Sequence, residues 1–208
     1  MNVEPLSPGW HAALAEAWEA YLRGSYPIGA CVVDANGQVI ARGRNRLGEP
    51  RNVEGGFIAG HDLAHAEINA LLNLTDTPSP ECHGWTVLTT VEPCPQCAGA
   101  ILMSGVRGVD YAAPDPWAGS KRLLTDDPYA VAKGMRVGRA PENVQRLALR
   151  LVLTGFLEDG LDRMGPFLKT FDGYRADVEF AADLHKSGAL AALRDREASL
   201  DEALELLA

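Results

Sequence analysis

The sequence of 208 residues has no apolar run of the roughly 18 to 20 residues that cross a bilayer. Its N-terminus has no basic segment followed by a hydrophobic stretch, which argues against a secretory signal. It also contains no internal repeat and no low-complexity segment. These absences predict a globular protein of the cytoplasm that does not contact a membrane.

Positive charge is also scarce, since 19 Lys and Arg residues face 28 Asp and Glu residues, for a net charge of −9. Neutralised phosphates supply much of the affinity of nucleic-acid-binding proteins, so this acidic balance argues against a large polyanionic partner. One local cluster, Arg42, Arg44 and Arg46, has two interpretations: a solvated surface or a contact to a substrate phosphate. We therefore expect a small-molecule partner, with a nucleic acid as the less favoured alternative.

Cysteine is scarce as well, with four residues. Cys94 and Cys97 form a Cys-x-x-Cys pair, which in a cytosolic protein is more often metal-binding or redox-active than a structural disulfide. Cys31 lies in a short apolar run that is predicted to form a strand, and we expect it to be a small buried core residue. His61 and the Cys82-His83 pair are further potential ligands, but they lie in loops without a motif partner, so we interpret them as surface or lid residues.

Apolar periodicity predicts helices that alternate with strands. Helices are expected over residues 11–22, 63–74 (with Asp62 as N-cap), 98–104, 119–133 and 142–157, and strands over 28–33, 38–46, 85–90, 106–112 and 135–139. The turn dipeptide Asn36-Gly37 joins the first two strands into a hairpin. This order predicts an α/β fold with three layers, α/β/α, around a mixed five-stranded sheet. We expect residues 1–157 to form this domain and residues 158–208 to form a C-terminal extension of short helices.

Two fragments carry the residues expected of a metal site, His65-Ala66-Glu67 and Pro93-Cys94-Pro95-Gln96-Cys97. A Cys-x-x-Cys turn places two thiolates close enough to share one ion, and His65 is the natural third ligand. Thiolate and imidazole ligands suit Zn²⁺, and three protein ligands leave the fourth tetrahedral position to water, as in a catalytic zinc site. For the two cysteines taken alone, a redox pair and a structural metal site are the competing interpretations.

Glu67 follows His65 by two positions, a rotation of about 200° on a helix, so the two side chains do not share a face. Glu67 is therefore not expected to be a fellow ligand. A carboxylate that reaches the metal-bound water can accept its proton and pass it to a leaving amine. We accordingly predict that Glu67 is the catalytic acid and base.

The pattern His-x-Glu followed by Pro-Cys-x-x-Cys is the signature of zinc-dependent nucleobase deaminases. The surrounding segments AHAE, TVEPCPQCAGAIL, PIGACVVDANGQVIARGRN and YAAPDPWAGS resemble one branch of the cytidine-deaminase-like superfamily. That branch contains tRNA adenosine deaminases, guanine deaminases and yeast-type cytosine deaminase, and the resemblance covers roughly residues 10–150. It implies the fold of that superfamily, a zinc cofactor and a hydrolytic deaminase.

The resemblance also implies residues that bind substrate. Asn45 ends a Gly-x-Asn segment whose asparagine binds substrate in this branch, although it has an alternative interpretation as a turn residue. Asp115 and Trp117 lie in the loop that lines the family's pocket, where they would contact a base, or else they form only a proline-bounded turn. Ile28 matches a pocket-wall residue or belongs to the core. Apart from the resemblance, the backbone N–H groups of Ala66 and Cys94 are candidates to hold the reacting group.

The leading hypothesis is a zinc-dependent hydrolytic deaminase that releases ammonia from a small nucleobase, nucleoside or related aminated heterocycle. One alternative is a tRNA adenosine deaminase. Another, of a different class, is a non-catalytic protein with a structural zinc or a regulatory role. We also expect a homodimer, and we interpret the stripe Leu147, Leu151 and Phe156 as core or dimer surface and not as part of the site.

Overall fold

The computed structural model describes residues 5–53, 55–160 and 166–208. Its strands are β1 (Gly29–Val33), β2 (Val39–Arg44), β3 (Thr86–Val91), β4 (Gly108–Ala113) and β5 (Arg136–Arg139). The α-helices of the described residues are α1 (Pro8–Leu22), α2 (Ala66–Leu72), α3 (Pro95–Met103), α4 (Arg122–Thr125), α5 (Pro128–Lys133), α6 (Glu142–Glu158), α7 (Arg175–Ser187), α8 (Ala189–Asp195) and α9 (Leu200–Leu207). Short 3-10 helices cover Glu81–Gly84 and Leu168–Tyr174.

The five strands form one mixed sheet in the order β2-β1-β3-β4-β5. Strand β1 pairs antiparallel with β2 and with β3, whereas β3, β4 and β5 run parallel. Gly37 turns the chain between β1 and β2 with a φ of 79°, which a residue with a side chain rarely adopts. The carboxyl ends of β3 and β4 meet at one edge, the place where parallel α/β sheets usually bind ligands.

Helices cover both faces of the sheet, which confirms the predicted α/β/α layers. The alternation of side chains along β1 decides which layer each one joins. Cys31 and Val33 pack with residues of α1 and α6, whereas Ala30 and Val32 pack with residues of α2 and α3. Every residue of β1 is therefore buried, as expected of a central strand.

Helix α2 begins later than the sequence predicts. The assignment of Asp62 as its N-cap is wrong, because the helix starts at Ala66 and His65 is the N-cap, with φ of −77° and ψ of 156°. Residues 61–65 form a hydrogen-bonded turn, and Leu63, which the periodicity assigns to the buried stripe, is 46% exposed. The extended backbone of the N-cap directs the imidazole towards the Cys-x-x-Cys segment, and helical periodicity contains no information about that contact.

The remaining helices and strands begin and end within about three residues of their predicted bounds, except that one predicted helix is two helices in the structure. The region 119–133 separates into α4 and α5, since the Asp127 side chain caps α5 and Pro128 begins it. None of the helices in the described ranges is both long enough and apolar enough to span a membrane.

The C-terminal residues 166–208 pack against α1 and α6, and their buried side chains belong to the same core. The Trp18 indole N–H donates to the Ala198 carbonyl at 2.8 Å, and Arg194 pairs with Glu158 at 2.8 Å. The prediction of further short helices is confirmed for the described residues, and a domain boundary at residue 157 stays a prediction.

Candidate active site

Two turns bring three metal-binding side chains together near the carboxyl edge of the sheet. His65 is the N-cap of α2, and Cys94 is the N-cap of α3, which Pro95 begins. The His65 Nδ1 atom lies 3.5 Å from the Cys94 Sγ and 3.4 Å from the Cys97 Sγ. All three donor atoms lie within 4.8 Å of one another, close enough to share one ion.

The electrostatics of this cluster favour a thiolate at Cys94. A hydrogen bond from Cys97 lowers the pKa of Cys94 to about 4, and hydrogen bonding to His65 contributes to the shift. The same contact raises the pKa of Cys97. Hydrogen bonding to Cys94 also raises the pKa of His65. Cys94 is therefore ionised at neutral pH, as metal ligation requires.

The donor set fits Zn²⁺. Two cysteine sulfurs and one imidazole nitrogen are preferred zinc ligands, and the His65 nitrogen faces both sulfurs, as shared coordination requires. A closed structural site needs a fourth protein donor, whereas the cluster found among the described residues contains three. His65 and Cys94 also line a cavity, so an ion held by these residues would border the space where a substrate can bind.

Glu67 lies in the first turn of α2, with 3% of its surface exposed. Its Oε1 accepts the Thr89 hydroxyl at 3.1 Å, and its Oε2 accepts the Cys97 thiol at 3.3 Å. Burial raises the pKa of Glu67, which eases protonation of a carboxylate that must alternate between its two forms. The side chain lies beside the metal ligands without completing their set, so the predicted acid and base role is sterically feasible.

A cavity of about 230 Å³ opens beside the cluster. Pockets for drug-sized ligands are typically about 300–1,000 Å³, so this smaller space suits a single ring system. All five residues predicted to bind substrate line it: Ile28, Asn45, Ala66, Asp115 and Trp117. Glu67 lines it as well, so the residues predicted for chemistry and for recognition surround the same space.

Two of these side chains keep polar atoms for a ligand. Asn45 is 2% exposed; its Oδ1 accepts the Leu47 N–H at 3.0 Å, and its Nδ2 has no hydrogen-bond partner among the described residues. Asp115 uses Oδ1 to accept the N–H groups of Trp117 and Ala118 at 3.0 and 2.9 Å, while Oδ2 bonds to nothing in the described ranges. Burial raises the pKa of Asp115. One donor and one acceptor therefore remain for a substrate.

Several lining residues were missed by sequence reasoning. The interpretation of Phe156 as core or dimer surface only is wrong, because its side chain lines the cavity. The others are Tyr26, Leu47, Val91, Glu92, Ala118 and Phe167. Glu92 directly precedes the Pro-Cys-x-x-Cys turn, and that position could have indicated it. Phe167 belongs to residues 166–208, which we call the C-terminal segment. No local sequence pattern indicates that a residue so far along the chain contacts the cavity.

The arginine cluster does not line the cavity. Arg44 and Arg46 pair with Glu49 at 3.0 and 3.2 Å, and the Arg46 guanidinium lies 4.0 Å from the ring centroid of Phe57. Arg42 is exposed. These ion pairs argue against a phosphate contact. The solvated-surface interpretation fits Arg42 alone, because the side chains of Arg44 and Arg46 are only 14% and 19% exposed. Cys31, His61, Cys82 and His83 also lie outside the cavity. Cys31 is buried, as expected, but the prediction that Cys82 lies at the surface or in a lid is wrong, because it is 2% exposed within the 3-10 helix Glu81–Gly84.

Comparison with known proteins gives matches to several deaminases. The family model of the cytidine and deoxycytidylate deaminase zinc-binding region matches residues 7–113. The tRNA-specific adenosine deaminase of Bacillus subtilis is 38% identical over 54% of this chain and 64% of its own length. The cytosine deaminase of Candida albicans is 29% identical over 57% of this chain and 73% of its own length. A tRNA(Ile)-lysidine synthase of Deinococcus radiodurans is 35% identical over 61% of this chain, which spans only 20% of that protein.

A solved structure is also similar. It comes from a study of A-to-I editing by tRNA:A34 deaminases at the wobble position, and it matches with a TM-score of 0.54 and 30% identity over 67% of this chain and 97% of that chain. These matches confirm the resemblance inferred from the motifs, and they confirm zinc as the cofactor that the cluster of His65, Cys94 and Cys97 can hold. The chain belongs to the cytidine and deoxycytidylate deaminase family, whose zinc-binding region it carries.

Proposed function

We propose that this protein is a hydrolytic deaminase that removes the exocyclic amine of a small nucleobase-type heterocycle and releases ammonia. The observation that carries the proposal is the position of Glu67, a buried carboxylate beside the metal-binding cluster and at the wall of a ring-sized cavity. A purely structural zinc site does not need a buried carboxylate with a raised pKa. Membership of the deaminase family supports the same class of reaction.

The proposed reaction converts an amine-bearing ring carbon into a carbonyl. Zn²⁺ held by His65, Cys94 and Cys97 would supply Lewis acidity, which lowers the pKa of water. Glu67 accepts one proton from the attacking water and delivers it to the adjacent ring nitrogen, while the water oxygen bonds to the ring carbon. Glu67 then carries the second proton of that water to the amino group. The carbon–nitrogen bond breaks, and ammonia leaves a ring carbonyl behind.

Other residues of the cavity would orient the ring for this reaction. The free Nδ2 of Asn45 can donate to a ring nitrogen or carbonyl, and the free oxygen of Asp115 can accept a ring N–H. The backbone N–H of Ala66, at the start of α2, is a further donor beside the metal site. Trp117 and Ile28 supply apolar surface against the faces of the ring.

A tRNA adenosine deaminase is the second candidate, and one observation favours it. The structure from the study of tRNA:A34 deaminases is matched over 97% of its chain at 30% identity. Both candidates require the same chemistry and differ in what surrounds the base. The net charge of −9 favours the small molecule.

Ammonia release over a panel of bases, nucleosides, nucleotides and tRNA tests the proposal. We expect the zinc-loaded protein to turn over at least one small heterocycle. Glu67→Gln should keep its zinc and lose turnover by about 10²–10⁴-fold, because Gln preserves the size of the side chain and removes its proton transfer. Glu81→Gln, at an exposed glutamate in a 3-10 helix, is the matched control and should turn over normally.

Two results would contradict the proposal. Full turnover by Glu67→Gln would remove the acid and base role from Glu67. No ammonia from any compound of the panel would leave the non-catalytic zinc protein as the better interpretation.

A further inference from the structure

Four aromatic side chains follow one another along the cavity, and we call them the aromatic wall: Tyr26, Phe156, Phe167 and Trp117. The ring centroids are 5.3 Å apart for the first pair, 5.5 Å for the second and 6.2 Å for the third. Each pair meets edge to face, at interplanar angles of 77°, 80° and 74°. This is the favoured geometry of aromatic pairs, so the four rings form a continuous apolar surface.

Phe167 is an inner ring of this wall and is supplied by the C-terminal segment. Its side chain is 6% exposed, and Phe171 supports it from the same segment at a centroid distance of 5.4 Å. The segment is fixed to α1 by the hydrogen bond from Trp18 to Ala198. The match to the family's zinc-binding region ends at residue 113, so Phe167 lies outside that region.

The side chains that line the cavity include no Lys or Arg that could receive a phosphate, in the part of the chain that the structure describes. The cavity's acidic residues are Glu67, Glu92 and Asp115. A volume of about 230 Å³ suits one ring system and is smaller than the roughly 300–1,000 Å³ of pockets for drug-sized ligands. The small volume of the cavity therefore disfavours nucleosides, and its lack of basic side chains in the described residues disfavours nucleotides.

We infer that Phe167 makes the C-terminal segment part of the active site and restricts the substrate to a free heterocyclic base. This inference rests on the proposed function and specifies its substrate class. Removing the Phe167 ring interrupts the wall between Phe156 and Trp117 and opens space beside the bound ring. Phe167 thus controls the selectivity between a base and its nucleoside, and the chemistry at Glu67 does not depend on it.

The test compares kcat/KM for free bases and their own nucleosides, in the pairs cytosine and cytidine, guanine and guanosine, and adenine and adenosine. We expect the wild-type protein to favour the base. In Phe167→Ala the ratio of base to nucleoside should fall by about tenfold or more, since contacts in an apolar pocket typically discriminate by about 10–200-fold. Leu190→Ala is the matched control, because Leu190 is fully buried in the same segment and lies outside the cavity. It should lose stability and keep the wild-type ratio.

An unchanged ratio in Phe167→Ala, or a wild-type preference for nucleosides, would overturn the inference. If Phe167→Ala does not fold, Phe167→Leu keeps an apolar side chain and should shift the ratio in the same direction. Calorimetric binding of the same compounds to Glu67→Gln separates the two proposals. If Glu67→Gln binds bases more tightly than nucleosides, and adding Phe167→Ala reduces this difference, the role of the aromatic wall is supported even if no compound is deaminated. Equal binding of bases and nucleosides by Glu67→Gln would overturn the inference.

Discussion

His65 and Cys94 forgo an ordinary stabilising role at the starts of their helices. An N-cap side chain usually accepts a backbone N–H bond worth about 0.5–2 kcal/mol, as Ser7 does for α1 and Ser199 for α9. His65 and Cys94 make no such bond for α2 and α3. Their side chains turn towards each other and towards Cys97 instead. Local stability is given up where ligand geometry is needed, which is typical of functional sites.

Removal of either sulfur should release the metal. Residues that only support a ligand typically contribute about 10–100-fold to metal affinity, so loss of a thiolate in Cys94→Ser or Cys97→Ser should weaken zinc binding by more than about 100-fold. Competition with a chromogenic chelator, together with elemental analysis, measures this change. Cys82→Ser is the control, since Cys82 is buried and outside the cluster. Wild-type affinity in both variants would exclude these cysteines as ligands.

Single residues could be predicted where the chemistry has a fixed local spacing. His65 and Glu67 are two positions apart, and the two cysteines lie in one turn. The motif alone was therefore enough to predict the metal ligands and the catalytic glutamate. Phe167 reaches the cavity from a segment far away in sequence. Its side chain is an ordinary apolar one, and only the tertiary packing distinguishes it from a core residue.

At the scale of elements, two glycines let helices approach the sheet from opposite faces. A Cβ at Gly29 of β1 would lie 2.1 Å from the Ala13 carbonyl oxygen of α1. A Cβ at Gly43 of β2 would lie 2.1 Å from the Ala70 backbone nitrogen of α2. Both distances are far below van der Waals contact, so an added methyl group must displace the helix.

Gly43→Ala should therefore damage the site as well as the fold. The displaced helix α2 carries His65 at its start and Glu67 in its first turn. We expect the free energy of unfolding to fall by about 1–3 kcal/mol and the zinc affinity to fall by about tenfold or more. Chemical denaturation measures the first quantity, and chelator competition measures the second.

Gly29→Ala is the control for this prediction. It displaces α1, which carries none of the metal ligands, and should reduce stability by a similar amount while the zinc affinity stays near the wild-type value. Equal loss of zinc in both variants would show that the site responds to any disturbance of the sheet, and α2 would not be its specific support.

Elements themselves could be predicted where periodicity is local. The buried run of β1, the hairpin turn at Asn36-Gly37 and the amphipathic α6 all follow from patterns of a few residues. The start of α2 could not be predicted in this way, because the turn before it serves a contact with α3. The order of the elements along the chain also did not determine the spatial order of the strands in the sheet.

At the scale of the whole molecule, the C-terminal segment shares its core with the helices of the sheet. Its buried side chains, Phe171, Leu184, Leu190 and Leu204 among them, pack in one cluster with residues of α1 and α6. The sequence predicted helices in this region but not their position, since short amphipathic helices suit a pocket wall and a subunit interface equally. A homodimer and a cytoplasmic location stay predictions.

The distribution of charge determines which substrates the molecule should reject. Residues 1–124 contain 8 basic and 13 acidic side chains, and residues 125–208 contain 11 basic and 15 acidic ones, so neither part is a basic surface. Arg44 and Arg46, which flank the cavity residue Asn45, are paired with Glu49. Contacts to phosphates dominate the affinity of a protein for a tRNA stem-loop, and these arginines are already engaged.

We therefore expect no conversion of adenosine to inosine in the tRNA anticodon under conditions in which small heterocycles are deaminated. The zinc-loaded protein is incubated with tRNA at low salt, where phosphate contacts are strongest, and in parallel with the panel of small molecules. Sequencing detects inosine, and a coupled assay detects ammonia. The tRNA-specific adenosine deaminase of Bacillus subtilis, 38% identical over 54% of this chain, is the positive control. Efficient conversion at the anticodon, with no turnover of any small molecule, would reverse the order of the two candidate functions.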